Sequence, residues 1–92
     1  MKTLHLECGE WAADFASCHR LADRLADGLL DTPMLLSFYD RERDLESPNG
    51  VSECHQGCAT PGWVDYAVNR GGTLMIDFDR GRFVFCFLGE PR

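Results

Sequence analysis

Thr73-Leu74-Met75-Ile76-Asp77-Phe78-Asp79-Arg80-Gly81-Arg82-Phe83-Val84-Phe85-Cys86-Phe87-Leu88 is two alternating runs around a turn. Alternation at period two is a strand pattern, and Arg80-Gly81 between the runs makes a hairpin over residues 73–88. With a two-residue connection Asp79 faces Arg82, and the register follows. Phe78 then opposes Phe83, Ile76 opposes Phe85, and Leu74 opposes Phe87. These six large apolar side chains share one face, enough to pack against a helix. The other face is half polar: Met75 opposes Cys86, and Asp77 opposes Val84.

The helix that this face requires lies upstream, over residues 10–30. Trp11, Phe15, Cys18, Ala22, Leu25 and Leu29 recur at spacings of four and three, with Leu21 and Ala26 widening the stripe. Arg20, Asp23, Arg24 and Asp27 project from its far side, and Thr32-Pro33 stops it. Leu4 and Leu6 alternate with polar neighbours as a short strand. Met34 to Tyr39 reads as another, Met34, Leu36 and Phe38 sharing a face. Strand, helix, strand predicts a right-handed crossover between parallel neighbours.

Thr60-Pro61 offers a cap and first position for a short helix over residues 61–70, which Gly71-Gly72 closes. Trp63 and Ala67 share one side of it, and both Trp11 and Trp63 read as core anchors. Residues 40–59 are polar and aperiodic. So long a loop inside a small domain is an expected place for function or mobility.

These elements predict one α+β domain over residues 1–92, built as a two-layer sandwich. Its sheet has three or four strands, mixed or antiparallel, and the long helix covers one face. The short helix packs at an edge or on that same face. A chain of 92 residues with 45% hydrophobic content supports one core.

The formal charge is −6, and nine Lys and Arg are scattered among fifteen Asp and Glu. That balance excludes a nucleic-acid face, which needs clustered cations. No apolar run has the length of a membrane span or the form of a signal peptide, so the expected location is cytoplasmic, where thiols stay reduced. The odd count of five cysteines agrees with that.

Chemistry concentrates in the polar segment, where Cys54, His55 and Cys58 lie together. Cysteines four apart face the same way on a helical turn and can share a tetrahedral zinc, with His55 joining in an irregular loop. Zinc is the one cofactor so suggested, and Cys8 with His5, or Cys18 with His19, could complete its shell. Each has a plainer role: Cys18 as a buried small hydrophobe, His19 as a boundary residue, Cys8 in a linker, His5 on a polar strand face. Cys54 and Cys58 could alternatively form a reversible dithiol. Asp77 is the odd carboxylate of the hairpin, an acid if buried and a solvent-face marker if exposed.

No set of acid, base and nucleophile emerges. The expectation is a small accessory module that contacts a ligand, metal or protein partner through residues 40–59 and 61–70. A thiol-dependent enzyme or redox protein using Cys54 or Cys58 is the alternative. Self-association through an open sheet edge is compatible with both.

Overall fold

Residues 1–11, 14–49 and 60–92 are described by the structure, a computed structural model. The elements are β1 (Lys2–Leu6), α1 (Phe15–Leu29), β2 (Leu30–Asp40), β3 (Leu45–Ser47), α2 (Gly62–Asn69), β4 (Leu74–Phe78) and β5 (Phe83–Pro91). They make an α+β fold around one mixed sheet in the order β1-β4-β5-β2-β3. The five strands exceed the expected three or four, because β3 forms inside the polar segment and pairs antiparallel with the end of β2.

The five rungs from Phe78 with Phe83 through Asp77 with Val84, Ile76 with Phe85 and Met75 with Cys86 to Leu74 with Phe87 are as expected. The expected Asp79–Arg82 rung is absent: the turn takes all four residues 79–82, closed by the Arg82 N–H on the Phe78 carbonyl at 2.9 Å. All six expected core side chains are buried against α1. The buried positions of α1 are Cys18, Ala22 and Ala26. Small residues on the helix let it sit close over the large phenylalanines of the sheet, so the two surfaces interlock at interior density. Phe85 is fully buried and meets the rings of Phe15, Phe38 and Phe78 at 5.3, 6.4 and 5.9 Å between centroids.

Four expectations need correction. The long helix begins at Phe15, because the Asp14 carboxylate caps it by accepting from the Ser17 N–H at 2.8 Å. Trp11 therefore lies outside the helix, in a turn closed by its own N–H on the Cys8 carbonyl, and is 80% exposed instead of anchoring the core.

In β2 the alternation also fails. A bulge between Leu35 and Ser37 inserts an extra residue against β5 and inverts the parity. Phe38 then packs with the α1 cluster, Leu36 packs with α2, and Met34 is 54% exposed.

The crossover does not join neighbours. β1 pairs parallel with β4, and two antiparallel pairings then bring in β5 and β2, so β1 and β2 run the same way with the hairpin between them. Residues Phe83 to Phe87 are buried on both sides of β5, which requires a central strand.

Finally, α2 packs neither at an edge nor beside α1. Trp63 and Ala67 lie on Val84 and Cys86, on the opposite face of the sheet. The half-polar side of the hairpin still offers these apolar residues, and they fix where the short helix lands. Ser37, almost wholly buried, donates its hydroxyl to the Trp63 carbonyl at 2.8 Å and ties α2 to β2. The helix closes as Gly71-Gly72 suggests. Gly71 takes φ +80°, its N–H reaches the Val68 carbonyl, and the Gly72 N–H reaches the Ala67 carbonyl at 2.8 Å.

Candidate functional site

The described ends of the cysteine-bearing segment, Asn49 and Thr60, flank a groove formed by β2, β3 and the start of α2. Tyr39, Asp44, Glu46, Asn49, Pro61 and Trp63 line a cavity of about 480 Å³. The Tyr39 and Trp63 rings stack at 5.5 Å between centroids, only 4° from parallel. Trp63 is held from behind by Val84 and Cys86 and at its carbonyl by Ser37, so the aromatic wall is anchored in packed structure.

Carboxylates supply the rest of the chemistry. The Tyr39 hydroxyl donates to Asp44 Oδ1 at 3.2 Å. Burial, and then this bond to a carboxylate, raise the Tyr39 pKa, so the phenol stays a donor at neutral pH. Among the described residues no cation pairs with Asp44 or Glu46. Nearby arginines are committed elsewhere: Arg43 to Asp40, Arg82 to Glu42, and Arg41 to the Arg80 carbonyl.

The sequence-derived candidates fall in different places. Cys54, His55 and Cys58 lie outside the described residues. Cys18 is fully buried on the sheet-facing side of α1, and burial pushes its thiol up to about 11. His19 rests on Phe85, rings 5.2 Å apart and nearly parallel, with Nε2 3.6 Å from Asp23. That is the boundary role expected of it. Cys8 packs at the margin of the α1 core. Its N–H donates to Asp79 Oδ1 at 2.8 Å. Among the described residues, no group of three or more His, Cys, Asp or Glu is placed to hold a metal ion.

One pair is brought together. His5 Nδ1 lies 2.9 Å from Asp77 Oδ2, and Asp77 Oδ1 accepts from the Gly81 N–H at 2.6 Å. Asp77 is thus neither a buried acid nor a bare solvent marker; it fixes the hairpin turn and orients an exposed imidazole.

The groove itself escaped sequence reading. Tyr39, Asp44 and Glu46 sit some twenty residues before Trp63, with no periodicity linking them. The available signal was compositional: a tyrosine just before the aperiodic segment, two carboxylates near its start, and a tryptophan just after it.

Residues 1–87 match the family described as Domain of unknown function (DUF5619). The chain belongs to that family. No curated protein matches it. The crystal structure of AF1514 from Archeoglobus fulgidus DSM 4304, described as a novel non-family-model protein, is similar throughout. It is 27% identical, with a TM-score of 0.72 over 98% of this chain and 95% of its own. The likeness covers the whole α+β fold. Among the described residues, no helix is long and apolar enough to cross a membrane.

Proposed function

We infer that the protein is a small binding module whose groove between β2, β3 and α2 accepts a cationic group, the guanidinium or ammonium of a basic peptide segment. The observation that carries this is the pair of carboxylates, Asp44 and Glu46, left without a described cation beside the stacked Tyr39–Trp63 rings. Trp63 is only 8% exposed, so a cation meets the half-buried Tyr39 ring of the stack, where it gains from the ring quadrupole, most when partly withdrawn from water. Paired carboxylates complete its charge and hydrogen bonds. The net charge of −6 draws basic partners in and speeds their encounter at low ionic strength.

The geometry favours binding over turnover. The rings and carboxylates can hold a charged group; the Tyr39 hydroxyl does reach the Asp44 carboxylate, but a phenol whose pKa is raised is a poor nucleophile at neutral pH.

Trp11→Phe leaves Trp63 as the single tryptophan, and its emission reports the groove. Titration with an arginine-rich peptide should give saturable quenching that weakens with added salt. The Asp44→Asn/Glu46→Gln double variant should lose at least about tenfold in affinity, and an acidic peptide should give no signal. Equal affinity in the double variant, or no saturable response, overturns the reading.

A further inference from the structure

The sheet ends in two edges that are closed very differently. β3 is three residues long, carries Glu46 at its centre, and runs into Pro48, which has no N–H to offer. Short length, charge and proline are the usual defences of an exposed edge. β1 has five residues, no proline and no bulge, and pairs without interruption from Lys2 with Leu74 to Leu6 with Phe78. Lys2 is its only charged residue.

Its backbone groups can be assigned. The Lys2 N–H donates to the Thr73 carbonyl at 2.9 Å, and the Leu6 carbonyl accepts from the Asp79 N–H at 2.8 Å. Lys2, Leu4 and Leu6 therefore turn their polar groups toward β4. Alternation aims the N–H and C=O of Thr3 and His5 away from the sheet, where no described strand lies.

We propose that β1 pairs antiparallel with β1 of a second copy of this chain, Thr3 opposite His5 and Leu4 opposite Leu4 across a two-fold axis. In that register the outward N–H and C=O of Thr3 in each copy exchange bonds with those of His5 in the other. All four outward residues of the two strands are satisfied together. Pairing residues of like parity keeps the α1 faces of both copies on one side, so the two sheets join as a single layer.

Side chains favour a second copy over a foreign strand. A cleft of about 310 Å³ opens beside β1 on the α1 face, its lining including Lys2, Leu4, Leu29, Leu74 and Pro91. Leu29 is 43% exposed there. The register sets Leu6 of the second copy beside Lys2, at the mouth of that cleft. The strip from Lys2 to Glu7 carries one formal charge of each sign in a chain of charge −6, and Glu7 already pairs with Arg80 of its own chain at 3.1 Å, so the strip adds little repulsion between copies.

The test is molar mass by light scattering over a dilution series, with Thr3→Pro as the probe. Proline at position 3 removes an outward N–H and leaves the β1–β4 bonds intact, whereas Lys2→Pro removes a bond to β4. The wild-type chain should pass from monomer to dimer mass with rising concentration. Thr3→Pro should need at least about tenfold more protein to do so while keeping its circular dichroism. Amide exchange on the wild type gives a second readout that needs no variant. Thr3 and His5 amides should be open at low concentration and protected at high concentration, while the Leu4 and Leu6 amides stay protected throughout. Constant monomer mass overturns the proposal. So does a dimer in which the Thr3 and His5 amides stay open, because the interface then lies elsewhere.

Discussion

On the α1 side of the sheet, Leu74, Ile76, Phe78, Phe83, Phe85 and Phe87 are sealed under a helix of small buried residues. On the other side α2 covers only Val84, Cys86 and their neighbours, and His5 at the β1 end keeps 71% of its side chain in water. The same two strands supply both faces. One alternate set of residues is uniformly large and apolar, and the other mixes Met75, Asp77, Val84 and Cys86. Uniformity makes a core that tolerates nothing else, whereas mixture leaves room for a short helix, an oriented histidine and a groove. Folding rests on the first face, and the proposed binding groove lies on the second.

The harshest way to break that contrast is Phe85→Ala, which empties the centre of the aromatic cluster. It should cost about 3–5 kcal/mol, much of the stability expected for a domain of this size. Urea unfolding checks it, and a midpoint near wild type would show that the α1 face is not the main support.

Thiol labelling sharpens the same contrast. Burial pushes both Cys18 and Cys86 up to about 11, about a hundredfold less thiolate at neutral pH than an ordinary cysteine. Site-resolved mass spectrometry after native alkylation should find Cys8 modified first among these three, and Cys18 and Cys86 only on unfolding. Equal labelling of all three would mean that neither face is closed around sulfur.

Ser37→Ala removes the bond that seats α2. The Trp63 carbonyl keeps only its place in the helix, and the loss should be about 1–2 kcal/mol with weaker peptide binding. Unchanged affinity at reduced stability would separate the groove from the seating of α2.

A smaller effect appears in acid. The Gly9 N–H first, then the Cys8 N–H and Arg82, hold the Asp79 carboxyl below the usual carboxylate range. Its ionised form therefore stabilises the fold above about pH 4, and that contribution disappears as pH falls through the lower folded value. Asp79→Asn should flatten the profile of urea midpoints between about pH 4 and 2. Parallel profiles for the two proteins would remove Asp79 from the account.

Legibility in the sequence follows the same division. The hairpin register could be read rung by rung because strict alternation admits one arrangement once the turn is placed. The α1 stripe was readable from Phe15 to Ala26, where period and burial agree, whereas Leu29, which the period also placed on it, is 43% exposed. Trp11 extended that stripe by arithmetic alone, and the Asp14 cap overrode it. In β2, Leu35, Leu36 and Phe38 are all apolar, so nothing in the pattern announces the bulge that sends Leu36 and Phe38 to opposite faces. The groove joins Tyr39 to Trp63 only through tertiary packing, and polar segments carry no period from which such a meeting could be derived.

The most direct test compares melting temperature and peptide affinity in the same samples of wild type and Asp44→Asn/Glu46→Gln. Carboxylates remote from the α1 core, Asp44 exposed and Glu46 half-buried, should leave the melting temperature within about 2 °C, while affinity falls at least about tenfold. A double variant that binds as tightly as wild type, or that melts as early as a core variant, would contradict the separation of the two faces.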